Sequence, residues 1–212
     1  MSLSFTISTL LILAAYLLGS IPTGYLLGKY LKGIDIREHG SGSTGATNVL
    51  RSVGKYPAIA VLLTDLLKGS LAVTLVNFTY SNLASDLLPA GWHAWLIIGA
   101  AFGAIIGHSK SIWLNFTGGK SVATTLGVLF VMNPTVALGT LATFGVILGI
   151  SRIVSLSSIC GAIAVNILML ALNQPFAFSL FAAFAGVYVI VRHKTNIERL
   201  LAGSEPKIGQ AL

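Results

Sequence analysis

Charge is scarce in this sequence. Of 212 residues only 9% are Asp, Glu, Lys or Arg, whereas 55% are hydrophobic and mean hydropathy is +0.87. That is too little charge to wet the surface of a soluble globular domain. Acidic residues are scarcer still: six, scattered along the chain, so a cluster of Asp residues for binding metal is not expected, and neither metal nor cofactor is called for. The single cysteine, Cys160, lies in an apolar stretch, which excludes a disulfide framework or thiolate metal site within one chain and fits a small core residue. The first apolar run lacks a basic leader and a clear small-residue cleavage site, so it is expected to stay as a helix. The net charge of +7 does not point to nucleic acid. Aromatic residues are not interleaved with the basic ones, and the basic residues sit beside apolar runs, as expected for attraction to anionic lipid.

What the sequence has in abundance is apolar runs, at about residues 4–31, 57–80, 92–107, 121–132, 134–150, 154–172 and 175–191. A membrane-crossing helix needs about 20 such residues. The fold expected is therefore all-α: a polytopic helix bundle of about seven transmembrane helices in a single domain, residues 1–212. Residues 122–150 could be one helix or two, divided at Asn133 and Pro134 by the missing proline donor. Charge favours two. With the N-terminus outside, seven spans put every Lys and Arg except Lys68 in or beside a cytoplasmic loop or the C-terminal tail, and the three outer joints, residues 79–91, 133–134 and 173–175, contain neither. Merging the two spans would move Arg152 and the basic tail outside, against the positive-inside rule. The fourth run is too short to cross fully on its own.

Three polar segments then face one side. Residues 34–54 read I-D-I-R-E-H-G-S-G-S-T-G-A-T-N-V-L-R-S-V-G. Gly40, Gly42 and Gly45 let backbone N–H groups approach an anion, Ser41, Ser43, Thr44 and Asn48 add hydrogen-bond donors, and Arg51 adds a guanidinium fork suited to phosphate. Residues 107–124 read G-H-S-K-S-I-W-L-N-F-T-G-G-K-S-V-A-T. This is no P-loop, since the earlier glycine and leading strand are missing. Gly118 and Gly119 nevertheless open a helix whose start favours an anion, with Lys120 as a point charge. His108 could serve as acid, base, donor or structural group. The third segment is the tail, residues 192–209, in which His193, Asn196 and Glu198 sit beside a membrane exit. Asp65 and Lys68, three apart within the second run, share a helical face and can pair. Arg152 precedes Ser155, Ser157 and Ser158 at the start of the sixth.

These segments together resemble the bacterial acyl-phosphate:glycerol-3-phosphate acyltransferase family, the small integral membrane type, across nearly the whole chain. The resemblance rests on G-S-I-P-T-G at 19–24, G-S-G-S-T-G-A-T-N-V at 40–49, G-G-K-S-V-A-T at 118–124, R-I-V-S-L-S-S at 152–158 and L-A-G-S-E-P-K-I-G at 201–209, in family order. Departures from the usual pattern fall at Ser43, Thr44, Thr117 (often Lys or Arg), Ser121 (usually Gly) and Ser204. The resemblance implies transfer of a fatty acyl group from acyl phosphate to the 1-hydroxyl of glycerol 3-phosphate, giving lysophosphatidic acid and phosphate. It implies a bacterial inner-membrane enzyme working at the cytoplasmic face, alongside enzymes that supply acyl phosphate.

On that reading Arg51, Lys120, His193 and Asn196 carry the chemistry. Ser41, Gly42, Ser43, Gly45, Asn48, Lys68, His108, Gly118, Gly119, Ser155 and Glu198 bind substrate. An acyl phosphate is an activated mixed anhydride, so an enzymatic nucleophile is dispensable. The H-x-x-x-x-D pattern of other glycerolipid acyltransferases is absent, His193 to Glu198 being the nearest approach. The rival class is a membrane carrier for an organic phosphate, which would also use short spans and anion-holding loops. It lacks a charged path across the apolar runs and any visible inverted repeat.

Overall fold

In the computed structural model, which describes residues 3–83 and 86–210, the chain is helical, and among the described residues there is no strand beyond one isolated bridge between Ser111 and Thr117. Among the described residues ten α-helices follow in order: α1 (Leu3–Ser20), α2 (Thr23–Lys32), α3 (Ala46–Ser52), α4 (Lys55–Phe78), α5 (His93–Ser109), α6 (Val122–Met132), α7 (Pro134–Ser151), α8 (Val154–Ala171), α9 (Phe176–Arg192) and α10 (Lys194–Leu201). They form two compact units, Met1–Met132 and Asn133–Leu212.

The apolar runs become helices where the sequence puts them. Among the described residues, five stretches are by length and composition long and apolar enough to cross a membrane: Leu3–Lys32, Lys55–Leu83, Ala90–Ser109, Pro134–Ser151 and Val154–Ala171. A sixth exists if α9 and α10, bent by 61°, count as one. The fourth run is short, as its sequence indicates: α6 has 11 residues, about 16 Å at 1.5 Å per residue against a hydrocarbon core of about 30 Å. The break after it is local chemistry. Asn133 caps α7 by accepting from the Val136 N–H at 3.0 Å, and Pro134 occupies the first turn, where its missing N–H costs nothing.

In the first unit α1 packs along α5 and α4 along α6. Small residues allow this. Gly103 and Gly107 of α5 lie so close to α1 that a methyl on either would meet the Ile12 or Tyr16 carbonyl, and Gly69 and Gly127 do the same between α4 and α6. Pro22 separates α1 from α2, and at this end Ser111 Oγ donates to the Ser20 carbonyl (2.6 Å) and Tyr16 Oη to the Lys110 carbonyl (2.9 Å). In the second unit α7, α8 and α9 pack in sequence. Asn133 Nδ2 donates to Gln174 Oε1 (2.6 Å), joining the two lysine-free turns, and Ile208 N–H donates to the Arg152 carbonyl (2.8 Å), tying the tail to the α7–α8 joint.

Candidate functional site

The glycine-rich segment is a built loop, organised by one side chain. Gly40 and Gly42 turn through positive φ (58° and 68°), which glycine adopts without a steric penalty. Asn48, buried on α3, fills the turn. Its Nδ2 lies within hydrogen-bond reach of the Ile36, His39 and Ser43 carbonyls (3.0, 2.9 and 2.8 Å), and its Oδ1 accepts from the Ser41 N–H (2.9 Å). The amide read from sequence as a donor to substrate is thus engaged inside the loop. Ser41 and Gly42 are exposed on its outside, Ser43 and Gly45 are partly buried, and Arg51 stands half-buried in the last turn of α3.

Arg37 fastens this loop to the next. Its guanidinium pairs with Asp35 (2.6 Å), and Nη1 donates to the Leu114 carbonyl (3.4 Å) and Thr117 Oγ1 (3.3 Å) while the group lies 5.2 Å over the Tyr25 ring. Hydrogen bonding from Arg37 holds the Asp35 carboxyl below its ordinary value, burial opposing this. At Thr117, where the family pattern often has a cation, Arg37 brings one from a different segment.

The second segment lies on the end of α5. Gly119 N–H donates to the His108 carbonyl (3.1 Å), Ser121 Oγ donates to the Ile105 carbonyl (2.7 Å), and Lys120 stands half-buried between them. A methyl on Gly118 would fall on the His108 carbonyl, and one on Gly119 on its imidazole. A small recess opens beside them, lined among others by Gly24, Thr44, Asp65, Lys68, His108 and Ser111. At its base Lys68 Nζ meets Asp65 Oδ1 at 2.8 Å, and His108 Nδ1 approaches the same oxygen at 3.4 Å.

The second unit carries its own polar cluster, centred on Glu205. Ser155 Oγ and Asn196 Nδ2 both donate to Oε1 (2.7 and 2.6 Å), and Arg199 Nε donates to Oε2 (2.6 Å). Burial works to raise the Glu205 carboxyl, but the hydrogen bonds from Asn196, Ser155 and Arg199 outweigh it and hold the group below its ordinary value. His193, also buried, gives its Nδ1 hydrogen to the Val189 carbonyl (2.7 Å). Glu198 is exposed. Among the described residues no three His, Cys, Asp or Glu side chains come together as metal ligands.

The profile of the family described as glycerol-3-phosphate acyltransferase matches residues 9–203. The chain belongs to this family. It is 66% identical over 99% of its length to the glycerol-3-phosphate acyltransferase of Rippkaea orientalis, of which 97% is covered, and 60% identical to that of Crocosphaera subtropica over 99% of this chain and 98% of that one. Its fold is similar to crystal structures of PlsY (YgiH), an integral membrane glycerol 3-phosphate acyltransferase. The glycerol 3-phosphate form gives a TM-score of 0.85 at 36% identity, covering 95% of this chain and 96% of that one. The lysophosphatidic acid form gives 0.81 at 35%, covering 95% of each.

Of the residues this acyltransferase sequence nominates, the first unit holds Ser41, Gly42, Ser43, Gly45, Asn48, Arg51, Lys68, His108, Gly118, Gly119 and Lys120, and the second holds Ser155, His193, Asn196 and Glu198. Lys68 and His108 meet each other's partner Asp65, and Ser155 and Asn196 meet on Glu205. Sequence reasoning missed Glu205, Arg199 and Arg37 as organisers. Scarcity was the available signal: in a chain with six acidic residues, each one that lies beside glycine-rich or apolar sequence needs a partner.

Proposed function

We propose that this chain transfers a fatty acyl group from acyl phosphate to the 1-hydroxyl of glycerol 3-phosphate at the cytoplasmic face of the bacterial inner membrane, drawing its donor from enzymes that make acyl phosphate. Membership of the family supports glycerol 3-phosphate as acceptor, and the glycerol 3-phosphate and lysophosphatidic acid forms of PlsY hold a substrate and a product of the same chemistry. The observation that carries the choice of donor is the fastening of two glycine-lined, cationic loops to one end of the first unit through Arg37. Both substrates on this reading end in a phosphate, and paired anion-holding loops bring two phosphates into one neighbourhood.

The reaction needs little more. The glycerol oxygen attacks the acyl carbonyl carbon, the bond from that carbon to the bridging phosphate oxygen breaks, and inorganic phosphate leaves. The hydroxyl proton passes to a phosphate oxygen of the donor. Arg51, Lys120 and the N–H groups around Ser41 stabilise charge that develops on the leaving phosphate. No nucleophilic side chain is required, because the anhydride is already activated. The carrier reading is disfavoured by the family match.

Arg51→Ala and Lys120→Ala should each remove nearly all phosphate release by the detergent-purified protein while leaving it in membranes; near-normal turnover overturns the assigned roles. Supplying acyl thioester instead of acyl phosphate tests the donor, and activity with thioester alone would reassign it.

A further inference from the structure

Asp65, Lys68 and His108 form a charged cluster that the reaction above does not use. Their side chains are 4%, 6% and 6% exposed. Lys68 Nζ reaches both Asp65 Oδ1 (2.8 Å) and the Ile21 carbonyl (3.0 Å), an acceptor at the Pro22 break between α1 and α2. Burying charge among apolar helices costs several kcal/mol even when it is paired, and apolar packing could join the same helices at lower cost. The cluster does one thing that apolar packing would not: it fixes the plane of an imidazole. Asp65 holds His108 by Nδ1, and the opposite edge of the ring lies against Gly119 so closely that a methyl there would fall on Nε2. The His108 carbonyl takes the Gly119 N–H, and two residues on Ser121 bonds to Ile105 on the same helix. Lys120 is bracketed by these two attachments.

We infer that His108 is a positioning residue, a platform oriented by Asp65 and Lys68 on which the residue 118–120 backbone rests so that Lys120 is aimed at a substrate phosphate. This rests on the proposed reading that the residue 118–120 loop holds phosphate. The platform works through shape and orientation and needs no contact between His108 and substrate.

A double-mutant cycle on the detergent-purified protein, assayed with acyl phosphate and glycerol 3-phosphate, tests it. His108→Ala should raise KM for one of the two substrates about tenfold with kcat changed less than about threefold, the signature of lost substrate placement. Gly119→Ala should cost at least about tenfold in kcat/KM, because its methyl has no room. In the double variant that methyl enters the space the ring has left, so the combined loss should be no greater than the larger single loss, instead of about a hundredfold product. Multiplicative losses, or a His108→Ala effect on kcat alone, overturn the inference. If His108→Ala does not accumulate in membranes, His108→Asn carries the same cycle, since it keeps a polar partner for Asp65 and clears the same space. Lys120→Ala separates the two readings: unchanged kcat/KM for both substrates defeats the phosphate assignment of the loop, while the cycle still decides whether His108 and Gly119 act as one.

Discussion

The two units hold their polar groups by opposite means. In the first, a loop is saturated from within: the Asn48 amide satisfies carbonyls and an N–H of its own segment, and Arg37 binds that segment to the Leu114–Thr117 turn. In the second, three donors from α8 and α10 converge on one carboxylate contributed by the tail, Glu205. A neutral network of many bonds is insensitive to pH and fails when its centre is removed; a hub with a single charge fails when that charge is neutralised. The difference teaches where each half of the molecule is vulnerable.

The sharpest way to break the comparison is at Asn48. Asn48→Ala removes the amide's contacts with Ile36, His39, Ser41 and Ser43, and misplacing groups that bind substrate by about 1 Å costs on the order of a hundredfold in rate, so kcat/KM should fall about that far in protein still extracted from membranes. Asn48→Asp should be no better, because a carboxylate would face three carbonyls. If the aspartate variant kept near-normal activity, the amide donors would not be what organises the loop.

A smaller effect is expected at Glu205, and it should depend on pH. The folded carboxyl is held below its ordinary value of about 4.5, so its stabilisation is complete above that pH and is lost as the pH falls through it towards the depressed folded value. Glu205→Gln removes the charge and keeps the shape. Hydrogen bonds to a charged group are worth about 1.5–3 kcal/mol, so thermal unfolding in detergent should show the variant less stable by about 2 kcal/mol at neutral pH, the gap closing as the pH drops past 4.5. A gap that stays constant across this range would show that the carboxylate charge is not what holds Ser155, Asn196 and Arg199.

Much of this was legible in the sequence, and the illegible part has a common cause. Helices followed from apolar runs, and the Asn133–Pro134 break from proline chemistry and a capping side chain. The glycine-rich first segment read as tightly turning backbone, and Gly40 and Gly42 do turn through positive φ. The count of spans was less legible, since α6 is apolar but short and composition does not measure length across a bilayer. Partners distant in sequence were not legible at all. Asp65 announces Lys68 by helical spacing, yet nothing in spacing brings it His108, 43 residues on, and Asn48 reads as a donor to ligand until the carbonyls around it are seen. Local rules see along a helix, whereas sites are assembled across helices.

The smallest expected effect lies at Ser121, where the network of the first unit includes a residue in an unfavourable backbone conformation. Its φ is 62°, in the left-handed region where a non-glycine residue costs roughly 1–2 kcal/mol. Against this, Ser121 Oγ donates a buried hydrogen bond to the Ile105 carbonyl at 2.7 Å, and such a bond contributes about 1 kcal/mol net. Ser121→Gly relieves the backbone and removes the bond, so the two terms nearly cancel and stability should change by less than about 1 kcal/mol. Kinetics decide whether the bond also holds Lys120 in place. If the His108 platform alone fixes the loop, KM for both substrates stays within about twofold of the parent. A larger rise at unchanged stability would place Ser121 among the residues that aim Lys120, and would extend the many-bond character of the first unit to the residue that precedes α6.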